Sequence, residues 1–151
     1  MERIHYHCHC LQRDFTFEQW SEYLKQHPDS TSESVAEWHG FRWTVHDICE
    51  NPHAIEFVND PKNTYPQLSV TTAQLPDNQW VYGLSHYGLC KDYSYGGGFG
   101  VRFNSGDKFP TENAAIIAAL EHVKKQDLLS KYDKIVTEAI FSRKVTQLSL
   151  F

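Results

Sequence analysis

The sequence predicts an α+β fold, with a mainly antiparallel sheet, an N-terminal helix and C-terminal helices packed on one face. Three observations lead there. The apolar patterns run strand, helix, several strands, then helices, an order that argues against a parallel βαβ series. Alternation with period two recurs through the middle of the chain, and spacings of three and four fill its last quarter. The 151 residues are 40% hydrophobic and 14% aromatic, which suits one domain burying its own core without staples.

Residues 2–12 open the chain as a strand, with Ile4, Tyr6, Cys8 and Cys10 on one face and His5, His7 and His9 on the other. Thr16 starts a helix, and Gln19 three residues on completes a capping box with it. Phe17, Trp20 and Leu24 share the apolar stripe of that helix. His27-Pro28 ends it, because the residue before a proline avoids helical angles. Residues 29–34 read as a polar loop and 38–48 as a strand in which Phe41, Trp43 and Val45 alternate. A short strand follows at 54–58 and a loop from Asn59 to Asn63, then strands at 67–74, 79–87 and 92–103. Pro76-Asp77-Asn78 joins the first two of these as a hairpin, and Gly96 to Gly100 interrupts the third as a bulge or tight turn. Thr111 is an N-cap for a stripe of Ala115, Ile116, Ala119, Leu120 and Val123. Leu128, Leu129, Tyr132, Ile135, Val136, Ala139 and Ile140 continue it, with a break at Lys124 to Asp127 that leaves either one kinked helix or two.

The formal net charge is -5, which speaks against a general nucleic-acid binder and gives no reason to expect direct sequence-specific binding. No acidic block is long enough for a DNA mimic, and no apolar run reaches membrane-spanning length. The N-terminus lacks the apolar stretch of a signal peptide, because His5, His7 and His9 interrupt it. A cytoplasmic protein with reduced Cys8, Cys10, Cys49 and Cys90 is expected, and no cofactor is implied.

The domain is expected to span 1–144, with 145–151 as a docking segment. Gln147-Leu148-Ser149-Leu150-Phe151 resembles, at every consensus position, the pentapeptide by which bacterial polymerases, mismatch-repair proteins and initiation regulators dock on the DNA polymerase sliding clamp. The chemistry suits docking. A Gln amide offers donors and an acceptor to fix register at a pocket rim. Leu148, Leu150 and Phe151 are large apolar anchors, each worth roughly 1.5–3 kcal/mol when fully buried, while Ser149 can stay solvated between them. The alternatives are a last strand at the sheet edge, or an apolar tail folded on the core. Docking is the preferred reading.

His5 and His7 lie on one strand face at a spacing that lets both reach one metal, and His46, Asp47, Cys49 and His53 form a second group of metal-ligand types. A zinc site from both groups (candidate ligands His5, His7, His46 and Cys49) is weighed against a polar histidine face with core cysteines, and the second is preferred. Cys49 with His46, or Cys90 with His86, would compose a thiol dyad, but no third group to orient the base is visible. Gly96 to Gly100 lacks the Lys-Ser/Thr of a P-loop and no helix follows it directly. Trp80, Tyr82, Tyr87, Tyr93, Tyr95 and Phe99 are aromatic enough to stack bases. Lys91, Arg102 and Lys108 make a thin phosphate track beside them, so sheet core or a protein-binding face is expected.

The segment Trp80 to Val123 has aromatic strands, a Gly-rich turn, Phe109-Pro110-Thr111 and an Ala-rich helix. It is similar to a small module on partition-type and DNA-modifying proteins of bacterial mobile elements. The resemblance implies a phage or plasmid setting and no activity of its own. The functional expectation is a non-enzymatic accessory protein recruited to the sliding clamp, in replication, repair or a mobile element's interference with them. The competing readings are a small metal or thiol enzyme, and a regulatory module using its aromatic face.

Overall fold

The computed structural model describes residues 5–8, 10–30, 33–91 and 96–148, and only the backbone of His5 and Tyr6. The class is α+β: antiparallel strands in three sheets, with three helices among the described residues.

The first expected strand is one arm of a hairpin. β1 (His5–Cys8) pairs antiparallel with β2 (Arg13–Thr16), with Cys8 opposite Arg13. Cys10 therefore lies in the turn, and Gln12 closes it in the left-handed region at φ 53°. Thr16 caps α1 (Phe17–Gln26) as expected. Its hydroxyl accepts from Gln19 N at 3.2 Å, and Gln19 Oε1 accepts from Thr16 N at 3.0 Å. His27 ends the helix, donating its backbone N–H toward Tyr23 and Leu24. Trp20 is buried and Leu24 half-buried, but Phe17 is 59% exposed. The cluster under α1 is small (Cys8, Phe15, Trp20, Val35 and Val45), and Phe17 is not part of it.

The next correction concerns residues 34–48. A strand β3 (Ser34–Trp38) begins inside the expected loop and pairs with β4 (Phe41–Thr44). A bulge between Ser34 and Ala36 buries Ser34, Val35 and Ala36 in succession, which erases the period-two signal. The buried Ser34 hydroxyl is satisfied by Glu50. His39 and Gly40, at φ 54° and 83°, make the two-residue turn that matches strand twist. The strand expected over 38–48 therefore straddles a hairpin corner and ends at Thr44.

The main sheet runs β5 (His53–Val58), β6 (Leu68–Gln74), β7 (Trp80–His86) and β8 (Gly97–Phe99) in that order, all antiparallel. The hairpin at Pro76 to Asn78 forms as expected, with Leu75 N donating to Gln79 O at 2.7 Å and Asn78 at φ 69°. Of the strand expected over 92–103, residues 92–95 lie outside the described residues, and in the remainder the glycine run itself is the short edge strand β8. Gly98 sits at φ 148°, and a Cβ there would run into the Leu84 carbonyl. Glycine is what lets β8 approach β7.

One face of this sheet carries Ile55, Phe57, Leu68, Val70, Tyr82 and Leu84 against the C-terminal helices. Thr111 caps α2 (Glu112–Lys124), accepting from Ala114 N at 3.1 Å. The expected break forms, with Asp127 left-handed at φ 57°, and the chain restarts as α3 (Ser130–Leu148). The expected stripe Ala115, Ile116, Ala119, Leu120 and Val123 is fully buried. The opposite sheet face packs Ala73 and Val81 under Phe41, Trp43, Cys49 and Val101. α2 lies on β6 and β7, and α3 lies on α2 and β5, whereas α1 packs on β2 and β3, away from the main sheet. Among the described residues no helix is long and apolar enough to cross a membrane.

Candidate docking site

α3 ends in the first two residues of the pentapeptide. Its inner face buries Val136 and Ile140, with Tyr132 and Ala139 half-buried beside them. Side chains tie it to the body. Arg143 Nη1 donates to Asn113 Oδ1 at 3.0 Å, and Asn113 Nδ2 donates to the Arg143 carbonyl at 3.0 Å. The Arg143 guanidinium lies 5.4 Å from the centre of the Phe57 ring. Lys144 pairs with Glu121 at 2.9 Å, and Lys124 donates to Thr137 at 2.6 Å.

The outer face is different. Phe141, Val145 and Leu148 follow at spacings of four and three, so they share one side of the helix. They are 69%, 48% and 74% exposed, a run of large apolar side chains in solvent. Leu148 is thus both the last member of this run and the second residue of the pentapeptide. Gln147 is half-buried, turned about 100° from Leu148 as neighbouring helical residues are. Both described residues of the motif are helical and neither joins a sheet edge; Ser149, Leu150 and Phe151 lie outside the described residues.

Among the described residues the histidine and cysteine candidates do not come together. His7 is exposed and bonds Asp14 at 2.8 Å, His46 is exposed, and the side chain of His5 and the whole of His9 lie outside the description. Cys49 is buried, and burial pushes its thiol up to about 11. Asp47 accepts from the backbone N–H and the amide of Asn104, both at 3.1 Å. His53 bonds Glu112 at 2.7 Å. Among the described residues no group of His, Cys, Asp and Glu side chains is arranged to hold a metal ion. Cys90 is buried, and His86 is buried too, its imidazole held below the usual value by burial and by His122. The sequence did not reveal that Cys8 and Cys10 interact. The neighbouring Cys10 thiol and the Leu11 N–H, which donates to Cys8 Sγ at 3.4 Å, hold the Cys8 thiol down at about 6, while Cys8 and burial push Cys10 up; Cys10 Sγ itself donates to the Thr44 carbonyl at 3.8 Å.

The aromatic set divides. Trp80 packs with Phe41 and His53. Tyr82 meets Phe99, Phe109 and His122, at 5.8, 5.9 and 6.4 Å between ring centres. Tyr82, Phe109 and His122 line an open cleft of about 340 Å³ with Asp107, Glu121 and Lys125. Lys91 is taken up by Asp127 at 3.5 Å, so the aromatic residues do not face a basic track through it. Tyr93 and Tyr95 lie outside the described residues.

No family model, curated protein or solved structure matches this chain.

Proposed function

We propose that this protein is an accessory factor that docks on the bacterial DNA polymerase sliding clamp through Gln147 to Phe151. It would act in replication or repair, or in a mobile element's interference with them. The observation that carries the reading is the placement of Leu148, 74% exposed at the end of the last helix. An anchor residue held there is available to a partner, whereas a structural tail would have it packed on the core.

The energetics favour a modest complex. The anchors Leu148, Leu150 and Phe151 contribute at most roughly 1.5–3 kcal/mol each. An alternating anchor pattern is read from an extended chain, so Gln147 and Leu148 must leave the helix on docking. Opening each helical hydrogen bond costs about 1 kcal/mol, and ordering each residue in the groove costs on the order of 1–2 kcal/mol. These costs consume most of the gain from the anchors, so binding no tighter than micromolar is expected.

The test is surface plasmon resonance of the intact protein on a purified bacterial sliding clamp, beside a chain lacking Gln147 to Phe151. Micromolar binding that disappears with the deletion is expected. Equal binding by both chains, or none by either, refutes the reading.

A further inference from the structure

Away from the last helix, one concavity gathers aromatic rings and charge. We infer that the cleft between β7 and the end of α2 is a binding site for a small organic cation, a quaternary or alkylated ammonium, held against the Tyr82 and Phe109 rings beside Asp107. The inference is independent of the clamp reading.

The argument begins with how the cleft is built. Tyr82 lies on β7, and Phe109 is fixed beside that strand by two backbone bonds: Trp80 N donates to Phe109 O at 2.7 Å, and Phe109 N to Trp80 O at 2.9 Å. His122 comes from α2, whose inner residues Ala119, Leu120 and Val123 are buried, so the wall it supplies is fixed too. Tyr82 Oη and His122 Nδ1 lie 3.4 Å apart across the floor. A cleft of about 340 Å³ on such rigid elements is preformed and is large enough for a small ligand.

The rings favour a cation. An aromatic face is negative, and ammonium groups stripped of some of their water settle on it. Tyr82 and Phe109 have ring centres 5.9 Å apart and planes inclined at 40°, so two faces are offered at different angles. Phe99, 42% exposed, extends the aromatic wall, 5.8 Å from Tyr82 and 5.7 Å from His122 between ring centres.

The charge points the same way. Asp107 and Glu121 both line the cleft, and Lys144 already meets Glu121 at 2.9 Å. Burial and the Asp107 charge hold the Tyr82 phenol above its ordinary value, so that carboxylate acts on the aromatic floor. The helical wall is the last two turns of α2, the end at which the backbone dipole is negative. Lys125 is the one lysine or arginine in the lining, exposed at the rim. Two carboxylates, a helix C-terminus and ring faces outweigh it.

The experiment titrates the intact protein with choline and with neohexanol, the same shape with carbon in place of the ammonium nitrogen, and follows both by heteronuclear NMR. Choline is expected to bind in the millimolar range, to shift the resonances of Tyr82, Phe109 and the last turns of α2, and to bind about fivefold or more tightly than neohexanol. Asp107→Asn and Phe109→Leu should each weaken choline about twofold to fivefold, and Lys125→Gln should strengthen it by a similar factor. Asp107 and Lys125 are exposed, so these two variants keep the fold, and unchanged resonances away from the cleft check it. Equal affinity for choline and neohexanol means that the cleft selects shape rather than charge, and overturns the inference. The absence of any saturable shift with choline overturns it, as does choline binding that none of the three variants changes. Benzoate bound more tightly than choline, and lost in Lys125→Gln, assigns the cleft to an anion and overturns it too.

Discussion

Asn113→Ala tests how α3 is held in place. Two hydrogen bonds cross from Asn113 on α2 to Arg143 on α3, one to the guanidinium and one from the amide to the backbone carbonyl. A hydrogen bond to a charged group contributes about 1.5–3 kcal/mol when buried. Both residues here are half-buried, which brings that bond nearer 1 kcal/mol. The amide-to-carbonyl bond adds about 0.5–1 kcal/mol. Alanine returns a few tenths through its better helix propensity. The net loss is about 1–2 kcal/mol, or a drop of roughly 3–6 °C in melting temperature for a chain of this size. Lys144→Ala is the comparison. Lys144 and Glu121 lie closer, at 2.9 Å, but both are about half exposed, so their pair is worth no more than about 0.5 kcal/mol. Urea denaturation at low salt and at about 1 M salt, where the Debye length falls to about 3 Å, separates the two. The Asn113 effect should persist in high salt, and the small Lys144 effect should vanish. A Lys144→Ala loss equal to that of Asn113→Ala refutes the view that burial and geometry, rather than charge proximity, hold the last helix.

Two further outcomes are expected. Gly98→Ala should lose about 2 kcal/mol, because a Cβ meets the Leu84 carbonyl and β8 must leave β7, giving up ladder bonds of roughly 1 kcal/mol each; Gly106→Ala, with open space around it, is the control, and equal urea midpoints for the two would refute the steric argument. His86 is held below its ordinary value in the fold, so the unfolded chain takes the proton more readily; stability from this residue is present above about pH 6.5 and is lost as pH falls below it. The urea midpoint should fall from about pH 7.5 to about pH 5.5 less steeply in His86→Gln than in the parent, and identical slopes would exclude His86 as the source.

The parts of the fold that were legible in the sequence are those whose signals are local. The Thr16–Gln19 box and the Thr111 cap need only side chains a few residues apart, and both form. Pro76 to Asn78 carries its own turn chemistry. The failures arise where distant contacts override the local pattern. The bulge at Ser34 to Ala36 buries successive residues and removes the alternation by which a strand is found. The glycines at 97 and 98 read as a break because glycine weakens an isolated strand, yet here the close approach of the β7 backbone requires glycine at 98. The His39-Gly40 corner was hidden inside a run of alternating aromatics that belong to two strands.

The candidate site shows the same division in one helix. The pentapeptide was legible because it is a short linear pattern, complete without knowledge of the fold. The stripe above it was not, because α3 carries apolar residues on both of its faces. Ile135 groups by spacing with Val136 and Ile140 as core, yet it is exposed, while Phe141 falls in neither the stripe nor the docking segment and Val145 falls only in the docking segment 145–151. Periodicity tells which residues share a face but not which face the rest of the chain covers. That is decided by Asn113 and Phe57, which take Arg143 and so turn one side of α3 inward. Once that side is committed, Phe141, Val145 and Leu148 have no covering element among the described residues, and their exposure becomes a property of the whole fold rather than of the helix.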